Sequence, residues 1–338
     1  TVGLRIDASG PHSALVDAAH GAGLKVVVYT FRPENHFHGP AFKDGGAAAA
    51  RVRVGRDAAA CPRSLCVGVE EVAIDAADPQ ALAGAIAGLV DPVGCVFSWH
   101  HHIAAAVIDV FGGRLFNLHG GDLPRYRGAG GGSWQVLNGE GSIQASIHRM
   151  TRAMDRGELL MSEREDFGTA EPYPADVKAA GRASRRVIDR LATAVLAGGS
   201  HALEPQDEGR ALYFPRLDTP AQGWLDFSWS VDEVLRFVRA FSDPYPGATF
   251  RHGQHRYRVR RASLRNPEAL HPFCAGLVVN RLADEVHVAL RDGVVALSGI
   301  DGEDGQPADL RRFRVGDRFW TAAADLHAAR CFRPGVGG

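Results

Sequence analysis

Asn117, His119 and Asp155 are residues whose types and spacing could do chemistry together. Asn117 and His119 stand two apart at the end of the run Phe116-Asn117-Leu118-His119, so on a strand both side chains leave the same face. The amide could donate to a developing oxyanion, and the imidazole could serve beside a nucleophile. Asp155 lies further on, in Met154-Asp155-Arg156-Gly157, where a carboxylate could orient the imidazole or balance its positive charge. An amide, an imidazole and a carboxylate set among glycines are the parts of an acyl-transfer site. Spacing alone equally allows a strand-end Asn closing a turn and a His hydrogen-bonded in a loop.

Other clusters are weighed the same way. The run Gly128-Ala129-Gly130-Gly131-Gly132-Ser133 looks like a phosphate cradle, but no Lys precedes Ser133, which disfavours a Walker A loop. Gln135 also stands where a nucleophile elbow needs its last Gly, so the run reads as backbone passing close to a ligand or another strand. His100-His101-His102, with His36 and His38, invites a zinc reading. Adjacent residues on a regular element cannot all face one metal, and no His-x3-His or Cys-x2-Cys accompanies them, so no metal is expected. Arg256, Arg258 and Arg260 alternate on one strand face and could grip a diphosphate or an RNA backbone, or form a solvated face balanced by acids.

These residues need elements to position them, and the flanking sequence supplies strand and helix in alternation. Leu4–Ser9 reads as a short strand, a helix carrying Leu15, Val16 and Ala19 follows, and Leu24–Tyr29 reads as a buried strand. Residues 31–70, rich in Gly, Ala and Arg, read as a long loop with a short helix. Then come a strand at 72–74, a helix at 80–89, a strand at Cys95–Phe97, a helix at Ile103–Val110 and a strand at Leu115–Asn117. The alternation predicts an α/β fold, a doubly wound and mostly parallel sheet whose ligands bind beyond the carboxyl ends of the strands. A strand at Ile143–His148 and a long helix starting near Pro174 follow. Ser230-Val231-Asp232-Glu233 forms a capping box before a helix. From Asp243 onward, short alternating runs at 249–251, 256–262, 276–280, 285–290 and 294–298 predict a small antiparallel β domain, an open barrel of the OB type. The expected division is 1–205 for the catalytic unit (1–50 atypical), 206–330 for a linker helix and the β-rich unit, and 331–338 for a tail.

Composition bounds the function classes. The 338 residues are 45% hydrophobic and 23% charged, with no apolar run long enough to span a bilayer. A formal net charge of −1 offers no global field toward nucleic acid or anionic lipid. Five scattered cysteines suit a reducing compartment, and no basic-then-apolar leader opens the chain, so a cytoplasmic enzyme is expected.

The motifs in order resemble a known family. Asn117-x-His119, Leu123-Pro124-x-Tyr126-Arg127-Gly128, His148-Arg149-Met150 and Asp155-x-Gly157 resemble the folate-dependent formyltransferases, nearest the branch that formylates amino sugars of nucleotide sugars and related to methionyl-tRNA formyltransferase. Phe97-Ser98-Trp99 with the His run resembles the family's folate-lining loop, and Asp243-Pro244-Tyr245-Pro246-Gly247-Ala248 resembles a junction of that branch. The resemblance implies 10-formyltetrahydrofolate as donor, a small-molecule primary amine as acceptor, no metal, no nucleic acid, no membrane and a possible homodimer. It implies Asn117, His119 and Asp155 as the catalytic residues. It implies donor contacts from Phe97, Ser98, Trp99, His100, His102, Leu123, Arg127, Gly128 and Met154, and acceptor contacts from Gly121, Asp122 and Tyr126. Other acceptors in the same class are an amino-acid-derived amine of the hydroxyornithine type and methionyl-tRNA, and a different class is a non-catalytic binding protein on the same scaffold. Two departures stand out. Gly120-Gly121-Asp122-Leu123-Pro124 stands where the family usually has Ser-Leu-Leu-Pro, and residues 19–35 resemble the last strand-helix segment of glycerophosphodiester phosphodiesterase barrels, an activity fifty residues cannot build.

Overall fold

The structure is a computed structural model, and it describes residues 26–30, 49–55, 69–75, 80, 84, 93–97, 103–129, 131–166, 175–196, 202–243 and 245–334. In chain order the first strands are β1 (Val26–Thr30), β2 (Ala49–Gly55), β3 (Val69–Asp75), β4 (Val93–Phe97) and β5 (Leu115–His119). They are followed by the two-residue β6 (Arg127–Gly128), then β7 (Ser142–Arg149) and β8 (Leu159–Asp166). All but β6 join one seven-stranded sheet in the order β3-β2-β1-β4-β5-β7-β8. β1, β4 and β5 run parallel at its centre. Antiparallel pairs close it on both sides, β2 with β3 and β7 with β8.

Residues 31–70 depart from the loop-and-helix reading, because β2 lies inside them and β3 begins there. The alternation Arg51-Val52-Arg53-Val54 carries the strand, and the surrounding Ala and Gly mask its short period. Of the expected 80–89 helix, Gln80 and Gly84 are helical and the remainder lies outside the described residues, as do the expected strand at 4–9 and helix at 15–19. The long helix Ala175–Leu196 lays Ala183, Val187, Ile188 and Leu191 on Cys95, Ala145, Ile147 and Met161 of the sheet. That burial, about 1.5–3 kcal/mol for each large side chain, holds β7 against the parallel centre.

Beyond the helix, β9 (Tyr213–Phe214) pairs in parallel with β6. The strands β10 (Ala248–His252), β11 (His255–Asn266), β12 (Val278–Arg281), β13 (Glu285–Leu290), β14 (Gly293–Gly302) and β15 (Phe319–Trp320) form a curled antiparallel half-barrel, ordered β12-β13-β14-β11-β10-β15. The helix Val231–Phe241 opens on the expected capping box, with Ser230 and Glu233 exchanging side-chain and backbone bonds. It buries Val234, Phe237, Val238 and Phe241 in a core that also takes in Val136, Ile143 and Ala179. The half-barrel and the seven-stranded sheet therefore share one apolar interior.

Candidate active site

Asn117 and His119 lie at the carboxyl end of β5, and the antiparallel register sets His148 of β7 directly opposite Asn117. The turn between β7 and β8 brings in Asp155, whose φ of 53° is a left-handed conformation uncommon outside glycine. Three hydrogen bonds hold that turn. Gly128 N donates to Asp155 Oδ2 at 2.8 Å, and Gln206 Nε2 donates to the carbonyls of Asp155 and Gly157 at 2.8 and 2.6 Å. The carboxylate then sits between two imidazoles, with Oδ2 3.7 Å from His119 Nδ1 and Oδ1 3.5 Å from His148 Nε2.

Hydrogen bonding on the far side of each ring assigns the protons. His119 Nε2 faces the Tyr126 carbonyl at 2.6 Å; a carbonyl only accepts, so Nε2 carries the hydrogen and Nδ1 keeps its lone pair in the neutral ring. His148 Nδ1 faces the Arg149 carbonyl at 2.9 Å and must likewise donate, which leaves Nε2 of the neutral ring to accept from Asn117 Nδ2 at 3.2 Å. Asn117 keeps a second amide hydrogen. Burial pushes the His119 imidazole below its ordinary value, and the facing Asp155 carboxylate only partly restores it. Burial pushes the Asp155 carboxyl up, but the His148 and His119 rings in their protonated forms, with the Gly128 N–H, outweigh it and hold the group below the usual carboxylate range. A neutral base therefore stands beside an anion at neutral pH.

Gly121 explains part of the local sequence. A Cβ there would lie 2.7 Å from His119 Nε2 and 2.8 Å from the Tyr126 carbonyl, in the space where those two atoms meet. Asp122 is taken up by Arg125 at 3.0 Å, and Arg125 also binds Glu140, which accepts from the Tyr126 hydroxyl. Leu123 is buried, and Met154 is exposed with the Tyr213 hydroxyl donating to its Sδ. Arg127 is buried with its guanidinium shared between Gln206 and Glu208. Its partners come from the segment that also clasps the Asp155 turn. Phe97 ends β4 opposite Leu118, while Ser98, Trp99, His100 and His102 lie outside the described residues. Arg256, Arg258 and Arg260 stand on β11 of the half-barrel, on the other sheet from the triad. Among the described residues no group of three or more His, Cys, Asp and Glu could hold a metal ion, and no helix is long and apolar enough to cross a membrane.

Comparison with known proteins bears on this geometry. A family model described as formyl transferase matches residues 50–167, a span that contains Asn117, His119 and Asp155. A second, formyl transferase C-terminal domain, matches residues 219–318. The chain belongs to the formyl transferase family. As such it is an enzyme of one-carbon transfer. Among solved structures, the formyl transferase is similar to WlaRD, a sugar 3N-formyl transferase seen with dTDP and 5-N-formyl-THF. The TM-score is 0.51 at 16% identity over 61% of this chain and 72% of that one. It is also similar to an N-formyltransferase of Helicobacter canadensis in complex with folinic acid and dTDP-3-aminofucose, with TM-score 0.50 at 15% identity over 62% and 74% of the two chains. HypX of Aquifex aeolicus, in complex with tetrahydrofolic acid, matches with TM-score 0.51 at 18% identity over 67% of this chain and 38% of HypX. At these identities the likeness speaks to the fold.

Sequence reasoning gave no role in this formyl transferase to His148, Gln206 or Glu140. His148 enters through strand register, since pairing of β5 with β7 is what sets it against Asn117. Gln206 enters from beyond the long helix, and no local pattern ties it to Asp155. Gln206 sits in the polar stretch Glu204-Pro205-Gln206-Asp207-Glu208, where nothing sets it apart from its neighbours.

Proposed function

We propose that this formyl transferase moves the formyl group of 10-formyltetrahydrofolate to a primary amine of a small molecule, the amino sugar of a nucleotide sugar being the acceptor class. The observation that carries the reading is the Asp155 carboxylate held between the His119 and His148 rings, with Asn117 bonded to the second ring. The donor supplies a nitrogen-bound formyl carbon that an amine can attack. The residues suit it, because acyl transfer from nitrogen to nitrogen needs an N–H donor for the formyl oxygen and a base for the amine proton.

Asn117 has the spare amide hydrogen for that oxygen, and its bond to His148 keeps the amide from rotating. His119 Nδ1 has the lone pair for the amine proton, and the Tyr126 carbonyl holds the ring in the tautomer that exposes it. As the proton arrives the ring becomes a cation, and Asp155 Oδ2 faces it. The same proton then goes to the nitrogen from which the formyl carbon departs, so one C–N bond forms as another breaks and no external acid is consumed. Gly128 bonds Asp155 and Met154 precedes it, and with Leu123 and Arg127 they would contact the donor. Phe97, Ser98, Trp99, His100 and His102 would contact the rest of it, and Gly121, Asp122 and Tyr126 would contact the acceptor.

Acceptor choice rests on the near-neutral charge, which offers little to a polyanionic tRNA, and on the amino-sugar ligand of the Helicobacter canadensis protein. The test is release of tetrahydrofolate from 10-formyltetrahydrofolate in the presence of dTDP- and UDP-linked amino sugars, ornithine-derived amines and charged initiator tRNA. Turnover with a nucleotide-linked amino sugar is expected. Turnover only with an ornithine-derived amine or with the tRNA would overturn the acceptor class.

A further inference from the structure

The three alternating arginines of β11 do not act as a set. Arg256 pairs with Glu303 at 2.7 Å, and Arg260 is spread between Asp301 and Asp243 at 2.8 Å each. Arg258 lies between them on the same strand face, half-buried, and among the described residues it has no ion-pair or hydrogen-bond partner. Its neighbours in register are Thr249 of β10 and Asp301 of β14, and the Asp301 carboxylate is already engaged by Arg260. A guanidinium that is half withdrawn from water and left unpaired forgoes its strongest available bonds.

Arg258 lines a cavity of about 130 Å³ that also takes in Thr219 and Pro220 of the Thr219–Gln222 helix and Trp224, whose segment pairs in parallel with β10 at Thr249. Trp224, which has the Arg251 guanidinium 5.1 Å from its ring centroid, lines the cavity with Pro220 and Pro246, Thr249 and Thr219 line it beside them, and Arg256 with its Glu303 counter-ion completes it. One rigid cationic fork, two hydroxyls and a flat apolar wall together match a group with several acceptor oxygens attached to a ring. The size admits a phosphoryl group with part of the ring that carries it. The three arginines face three carboxylates, Glu303, Asp301 and Asp243, so the strand face is neutral overall, and Arg258 is the guanidinium of the three that no carboxylate contacts.

We propose that this cavity in the half-barrel is a second ligand site, separate from the Asn117–His119–Asp155 centre, which binds a small phosphomonoester with its phosphoryl oxygens on Arg258 and its ring on the Trp224 wall. A free phosphate ion shares the phosphoryl chemistry and lacks the ring, so the two sources separate by affinity.

The test titrates the full chain with uridine monophosphate, glucose 1-phosphate, inorganic phosphate and unphosphorylated uridine, read by calorimetry and by quenching of tryptophan emission. Saturable binding of the phosphates and none of uridine is expected. Arg258→Gln should weaken that binding at least about tenfold with an unchanged melting temperature, and Arg258→Lys should recover part of it. Thr249→Val, which removes one hydroxyl on the neighbouring strand, gives an independent reading and should also weaken it. Uridine monophosphate or glucose 1-phosphate binding more tightly than inorganic phosphate identifies a ring-bearing ligand; equal affinities identify the ion. Absence of saturable binding by any phosphate, or binding that survives both Arg258→Gln and Thr249→Val unchanged, overturns the proposal.

Discussion

Asn117→Ala, His119→Ala and Asp155→Ala should each lower the rate of formyl transfer about 100-fold or more, with melting temperatures near that of the unaltered protein. The rate is read by tetrahydrofolate release and the fold by circular dichroism. The pH profile adds a sign. His119 works as a base only when neutral, and burial sets its folded-state pKa below the ordinary 6.5. The kcat/KM profile, divided by the fraction of acceptor amine that is unprotonated, should therefore fall on the acid side with an apparent pKa under 6.5 and stay flat through neutrality; a limb centred above 6.5 in that corrected profile would remove His119 as the base. The linked stability has the same direction. A group with a depressed folded pKa contributes above its unfolded value, so stability is lost as pH falls from about 6.5 through the His119 pKa, and again below about 3.8 through that of Asp155. At this scale the sequence showed Asn117 and His119 on one strand face, because period-two geometry places them there. It did not show that His148 fixes the Asn117 amide, or that the Asp155 carboxylate is shared between two rings.

The turn between β7 and β8 carries the carboxylate, and its shape depends on two glycines of the motifs, Gly128 and Gly157. A Cβ at Gly157 would overlap the Arg149 carbonyl oxygen, and one at Gly128, where φ is 94°, would overlap the Phe214 carbonyl oxygen. Gly157→Ala should thus push β7 and β8 apart, cut activity severely and lower the melting temperature by several degrees, while Gly84→Ala, which meets nothing within 4 Å, should do neither. The amphipathic helices Ala175–Leu196 and Val231–Phe241 were legible because long 3.6-residue periodicity survives tertiary context. β2 was not legible, since only Val52 and Val54 mark it as a strand and pairing with β1 and β3 does the rest. The antiparallel flanks of the parallel centre escaped for the same reason, because strand direction is a property of pairing partners distant in the chain.

In the whole molecule, the core that joins Val136 and Ile143 to Val234, Phe237 and Phe241 makes the half-barrel a support for the catalytic sheet. Phe241→Ala should cost about 3–5 kcal/mol and lower the single denaturant transition as one unit; two separated transitions would show that the shared core does not couple the sheets. The segment after the long helix has a similar reach, since Gln206 and Glu208 hold both the Asp155 turn and Arg127. The formyl transferase reading finally rests on what Asp155 does between its two imidazoles. The most direct measurement is tetrahydrofolate release from 10-formyltetrahydrofolate with a nucleotide-linked amino sugar, by the unaltered protein and by Asp155→Asn. The account predicts turnover by the first and a loss of about 100-fold or more in the second, with its melting temperature preserved. Equal turnover by the two proteins would contradict it.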